Sequence, residues 1–244
     1  MARSRSDPSS ACVGATPLRA RADNGCGTGT AGTVFSFTTI PAPGDCPINA
    51  VTQVAFEDSI ESGANGWTTS AAVGTTNFSI STTQASSPTH SWWGPDAVTV
   101  TDLSLTSPAV TLPAATAAPL TLEFHHWRNL EPRSADGCYD GGVLEIALNG
   151  GAFTAVPGAQ LLTDPYTGAI TTAANPLNGR QAWCGVVPFK RSVVDLSPYA
   201  GQSARVRFRV ATDDSVGRDG WFIDDVKIKG CGASDVIFAN GFDN

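Results

Sequence analysis

The chain has 244 residues, 41% hydrophobic and only 15% charged, with 25 glycines, 16 prolines and a formal net charge of −7. An acidic balance with scattered arginines excludes a nucleic-acid surface, which needs a basic one. No apolar run of about 18 residues is available to cross a membrane as a helix. Little charge and many turn formers point instead to an all-β protein.

In chain order, residues 1–44 form a first segment. Its opening, Met1-Ala-Arg-Ser-Arg-Ser-Asp-Pro8, is polar, aperiodic and lacks the apolar centre of a signal peptide, so disorder is expected. From Leu18 the pattern changes. Leu18-Arg-Ala-Arg-Ala-Asp-Asn-Gly25 and Thr33-Val-Phe-Ser-Phe-Thr-Thr39 read as a short β-ribbon around an Asn-Gly turn, followed by a linker, Pro41-Ala-Pro-Gly-Asp45.

Residues 45–231 read as the main domain. Strands are expected at 51–56, 78–82, 97–101, 109–112, 120–127, 143–148, 204–210 and 220–229, separated by turn residues. Strand 204–210 alternates clearly: Val206, Phe208 and Val210 inward, Arg205, Arg207 and Arg209 outward. Asp195-Leu-Ser-Pro-Tyr-Ala-Gly201 reads as a turn or a single helical turn. Eight or more such strands imply an antiparallel β-sandwich, most simply a jelly roll.

The last strand, Gly220-Trp-Phe-Ile-Asp-Asp-Val-Lys-Ile-Lys229, closes the sandwich. Asp224 shares parity with Phe222 and Val226. Either it points to the core and needs donors or a cation, or a bulge turns it outward.

Six cysteines without zinc spacing read as disulfides formed in an oxidising compartment, hence an extracellular or secreted protein. Six allow about 15 pairings. The preferred set joins Cys138 to Cys184 and Cys46 to Cys231, the second bracketing the main domain, and leaves Cys12 with Cys26. Disulfides without an export signal suggest the C-terminal part of a longer secreted protein, or a misplaced start.

The sequence offers little catalytic chemistry. The only histidines are His90, His125 and His126, and no His-Glu-x-x-His, Gly-x-Ser-x-Gly or phosphate-loop motif occurs. His125 and His126 fall on opposite faces of a strand, so they cannot share a metal. His126 is expected as a bonded core histidine and His125 on the surface. Glu131 with Asp140, or Glu57 with Asp224, are the carboxylate pairs a glycosidase would need, but calcium binding or loop capping is the simpler use. Asp213 is a weaker loop candidate for calcium. Trp67 and Trp221 read as core. Trp92, Trp93, Trp127 and Trp183 either plug the sandwich ends or, for Trp92, Trp93 and Trp127, stack on a ligand such as a sugar ring. Consecutive Trp92 and Trp93 face opposite ways if extended, so at most one is exposed.

The ordered motifs Phe56-Glu-Asp, Gly66-Trp, Leu122-Glu-Phe-His-His-Trp-Arg-Asn-Leu-Glu131, Tyr139-Asp-Gly-Gly-Val-Leu-Glu-Ile, Arg207-Phe-Arg-Val-Ala-Thr-Asp213 and Gly220-Trp-Phe-Ile-Asp-Asp-Val226 resemble the MAM-like jelly-roll domain. The closest version is the accessory domain of immune-inhibitor-A-type secreted bacterial metallopeptidases. The ribbon resembles the last two strands of a fibronectin type III module. Residues 232–244 form a tail in which Asp235-Val-Ile-Phe-Ala-Asn-Gly-Phe-Asp-Asn244 is similar to short endings of exported bacterial proteins.

The resemblance implies a non-catalytic accessory domain that contacts a protein or glycan surface, the parent being a hydrolase. It also implies a structural Ca²⁺ held by Glu57 with Asp224 or Asp225, and Asp58 nearby. A stand-alone carbohydrate-binding module and a hydrolase with an unrecognised site are the alternatives.

Overall fold

The computed structural model describes residues 41–48, 50–114, 117–134 and 137–233, together with four short strands before residue 41. Among these, Thr16–Leu18 pairs antiparallel with Phe35–Phe37, and Asp23–Asn24 with Gly27–Thr28. Cys12, Cys26 and the tail beyond residue 233 lie outside the described residues, and with them the expected third disulfide.

Twelve strands build the main domain: β1 Ala50–Asp58, β2 Thr68–Val73, β3 Ser79–Ser81, β4 Ser91–Asp96, β5 Thr101–Thr106, β6 Val110–Thr111, β7 Ala117–Leu130, β8 Gly141–Leu148, β9 Thr154–Ala155, β10 Gly185–Asp195, β11 Ser203–Thr212 and β12 Arg218–Ala233. They form two six-stranded antiparallel sheets. The front sheet runs β10-β7-β12-β4-β3, with β1 paired to the second half of β12. The back sheet runs β9-β8-β11-β5-β2, with β6 on the start of β11. Ser197–Tyr199 make a single 3-10 turn before β11, where a turn or a single helical turn is expected.

The inner faces meet in one apolar core. Phe208 of β11 packs edge-on against Phe124 of β7 (5.0 Å) and Trp221 of β12 (5.7 Å), which joins the sheets at their centre. Gly142 of β8 is required there, because a Cβ would lie 2.6 Å from the Trp221 ring. The result is an antiparallel β-sandwich of jelly-roll type. Two cystines staple it: Cys46–Cys231 joins the chain entering β1 to the end of β12, and Cys138–Cys184 holds a small side sheet of Pro132–Ser134, Gly137–Cys138, Gly168–Ile170 and Gln181–Ala182.

Two sequence expectations need correction. The strand placed at 97–101 straddles a turn; the chain instead forms β4 before it and β5 after it. Ser91-Trp-Trp-Gly-Pro-Asp96 is not among the expected strands, and its Gly94 and Pro95 are poor strand formers. Gly94 is needed for contact, since a Cβ would meet the Phe78 ring at 2.5 Å. Strand β10, with Pro188 at the sheet edge, also escaped the alternation rule, as prolines are tolerated on edges.

The alternation of β12 breaks at its middle. Asp224 pairs with His125 but Lys227 with Glu123, so β12 carries one extra residue, and Asp225 takes a left-handed φ of 48°. This bulge reverses the parity. Trp221 and Ile223 face the core before it, Val226 and Ile228 after it. Phe222 and Val226 therefore lie on opposite faces, and Asp224 turns outward with Phe222.

Candidate binding site on the outer sheet face

The outer face of the front sheet carries a row of three aromatic side chains. Phe222 is the register partner of both Trp93 on β4 and Trp127 on β7, so all three project from the same side. Trp93 and Phe222 stack at 6.3 Å and 29°, and Trp127 meets Phe222 edge-on at 5.4 Å and 77°. Phe222 is 3% exposed, whereas Trp93 and Trp127 are half-buried. Trp92 points the other way and is 4% exposed within the core, so it does not belong to this surface. Its indole N–H has no partner among the described residues.

A cleft of about 410 Å³ opens over the Trp93–Phe222 part of this row, lined by those two with Ser81, Thr83, Gln84, Arg218 and Asp219. Its floor is apolar and its rim carries hydroxyl, amide, guanidinium and carboxylate groups. The rim is braced from below. Trp93 Nε1 donates to the Asp219 carbonyl at 2.7 Å, and Asn129 Nδ2 donates to Asp219 Oδ2 at 2.8 Å. Gly220, at φ 98°, lets β12 approach β4 beneath the rim; a Cβ there would lie 2.4 Å from the Gly94 carbonyl. Such a surface offers a flat apolar face to a ring and hydrogen bonds to its edge.

The residues expected to hold calcium near the domain entrance do not converge on an ion. Both Asp224 oxygens already accept backbone N–H groups: Ser86 at 2.7 Å and Ser87 at 3.0 Å on Oδ2, and Asp225 at 2.7 Å on Oδ1. Asp224 is completely buried beneath the loop that follows β3, and that burial pushes its carboxyl above the usual range. Glu57 is exposed and pairs with Lys227 Nζ at 2.6 Å, while Asp225 lies 3.5 Å from His125 Nδ1. Asp58 accepts from the Ile60 amide, Asn65 and the Trp67 indole. With both oxygens of Asp224 and of Asp58 taken by protein donors, and Lys227 paired with Glu57, this set does not fit a calcium ion. Glu57, Asp58, Asp225 and Lys227 line a groove of mixed charge with Glu123 and Arg191.

A Ser–His–Asp trio was not expected from the sequence, yet Ser192, His126 and Asp164 meet inside the sandwich. His126 Nε2 lies 2.7 Å from Asp164 Oδ2 and 3.0 Å from Ser192 Oγ, while Nδ1 accepts the Trp221 indole N–H at 2.9 Å. Both partners use the same nitrogen, so the ring cannot take a proton from the serine while the acid orients its far side. Ser192 and His126 are also wholly buried. Asp164 is held as a carboxylate by Arg128 at 2.8 and 3.2 Å and by Lys190 at 2.5 Å. The trio is a structural network, with His126 in the core as expected.

The sequence matches no protein-family model and no curated protein. Solved structures similar in fold include the K3 cleaved adhesin domain of Lys-gingipain from Porphyromonas gingivalis W83. It shares 16% identity at a TM-score of 0.47 over 73% of this chain and 99% of that one. The TmCBM61 module in complex with β-1,4-galactotriose shares 12% at 0.45, over 72% and 97%. The mannan-recognising module TmCBM27 shares 16% at 0.32, over 74% and 99%. These scores are too low to carry an argument about this chain's ligand. No helix among the described residues is long and apolar enough to cross a membrane.

Proposed function

We propose that this chain is a non-catalytic, extracellular binding module that holds a glycan against the Trp93–Phe222–Trp127 row. The cleft over Trp93 and Phe222, apolar on its floor and polar on its rim, carries this reading. A pyranose ring has one apolar face and an equatorial belt of hydroxyls, which is the complement of that surface. The two cystines and the resemblance to secreted accessory domains favour work outside the cell, as part of a larger secreted protein or as a stand-alone carbohydrate-binding module. A hydrolase reading has less to rest on. The buried Ser192–His126–Asp164 trio has the wrong connectivity, and Asp140 of the Glu131–Asp140 pair is fully buried, out of reach of a substrate.

Isothermal titration calorimetry against soluble gluco-, manno-, galacto- and xylo-oligosaccharides tests the proposal. At least one series is expected to bind. Trp93→Ala should weaken that binding at least tenfold, about 1.4 kcal/mol, with the far-UV spectrum of a folded β protein retained. Absence of binding to every series, or unchanged affinity in the variant, would sink the reading.

A further inference from the structure

At one end of the sandwich, four strand ends deliver four carboxylates to one place. Asp96 closes β4, Glu131 follows β7, Asp140 precedes β8 and Asp213 follows β11. Two of these strands belong to the front sheet and two to the back. Ligand oxygens of Glu131, Asp140 and Asp213 lie within 4.8 Å of one another. Asp96 joins them: its Oδ2 accepts the Glu131 amide at 3.2 Å, and its carboxylate adjoins that of Asp140.

The cluster is short of donors. Asp140 is fully buried; Oδ1 accepts the Asp213 amide at 2.6 Å, but Oδ2 has no partner among the described residues. Asp96 Oδ1, on a side chain 5% exposed, and Glu131 Oε2 are likewise unpartnered. Buried polar atoms are nearly always satisfied, so three unsatisfied oxygens at one point require an explanation. Burial and the adjoining carboxylate raise the Asp140 carboxyl above the ordinary range, and burial raises Asp96. Arg218, opposite Asp96 on β12, is exposed and makes no ion pair with the cluster among the described residues.

We propose that Asp96, Glu131, Asp140 and Asp213 bind a Ca²⁺ ion that ties the two sheets together at this end. An all-oxygen, anionic donor set selects a hard divalent cation. Oxygens bound to one calcium at about 2.3–2.6 Å lie no more than about 5 Å apart, as those of Glu131, Asp140 and Asp213 do. The ion also anchors the start of the loop that leads from Asp213 to Arg218 and Asp219 on the cleft rim. This site does not depend on the glycan reading, since its ligands lie outside the aromatic row.

The test uses the full chain, stripped with EDTA, in calorimetric titration with CaCl₂ and in thermal melts with and without the metal. One Ca²⁺ per chain is expected to bind, raising Tm progressively, with Mg²⁺ much weaker. Asp140→Asn should abolish the calcium response yet melt no lower than the parent in EDTA, because the amide oxygen keeps the bond from the Asp213 amide and the side chain needs no proton to stay neutral. Should that variant fail to fold, Glu131→Gln, at a half-exposed position, should weaken calcium binding at least tenfold. A parental Tm unmoved by about 10 mM Ca²⁺, beyond the range of weak extracellular sites, overturns the proposal and leaves a shared proton as the neutraliser. Calcium affinity unchanged in both variants overturns it as well.

Discussion

His126 has only one arrangement of its ring proton that suits its surroundings. Trp221 Nε1 can only donate, so Nδ1 is an acceptor, and Nε2–H donates to Asp164. Arg128, 3.2 Å from the same Nε2, is therefore a neighbour and not a hydrogen-bond partner. Burial, opposed by Asp164 and reinforced by Arg128, lowers the ring to about 4. Because the folded value is depressed, the group costs nothing above the unfolded value near 6.5. As pH falls from there towards 4, the unfolded chain gains a proton that the folded one refuses. His126 thus removes roughly 3 kcal/mol of stability over that window, at about 1.4 kcal/mol per unit. Asp96 and Asp140, whose values are raised, act in the opposite sense in metal-free protein, so the ring itself is the better probe. Its NMR titration is expected to show a neutral Nε2–H form at pH 6 and a midpoint near 4. A midpoint near 6.5 would contradict this arrangement.

Strand β12 is the element where sequence reading reached furthest and then failed. Its existence, its place as the strand that closes the domain and the inward Trp221 were all legible in the sequence. The bulge at Asp225 was legible only as an alternative, because one inserted residue leaves no mark in composition; it follows from pairing with β7. Asp224 was singled out for the right reason, a carboxylate needing donors, but the donors come from a loop more than a hundred residues away in sequence. Asp224→Ala is expected to destabilise the fold by about 2–4 kcal/mol, since each buried donor left unpaired costs about 1–3 kcal/mol. A denaturation midpoint equal to the parent's would show that the Ser86 and Ser87 amides do not depend on it. Opposite directions for Trp92 and Trp93 were legible from strand geometry. Their side-by-side place with Phe222 and Trp127 was not, as it depends on register. The carboxylate cluster was hidden for the same reason. Glu131 and Asp140 drew notice as a pair, Asp213 by itself and Asp96 not at all, for only the meeting of strand ends from two sheets puts all four together.

For the whole molecule, the ends of β12 divide the roles. The aromatic row sits near Phe222, and Cys231 lies nine residues further along, roughly 30 Å at about 3.3 Å per residue. The Cys46–Cys231 bond closes a loop with a separation of 185 residues, so its loss falls on stability, by roughly 2–5 kcal/mol. The Cys46→Ala/Cys231→Ala double variant is expected to melt lower but to bind sugar within about twofold of the parent, because the cleft is remote and braced by Asp219 and Asn129. Sugar affinity lost together with the bond would place the ligand elsewhere.

The most direct test of the account follows the six indole N–H resonances while the isotopically labelled chain is titrated with the oligosaccharide series. Trp67, Trp92, Trp183 and Trp221 are buried, and only Trp93 and Trp127 reach the outer sheet face. The account expects the Trp93 signal to move saturably, that of Trp127 to follow, and the four buried indoles to stay in place. Six unmoved signals, or shifts confined to groups around the Glu57–Lys227 groove, would contradict it.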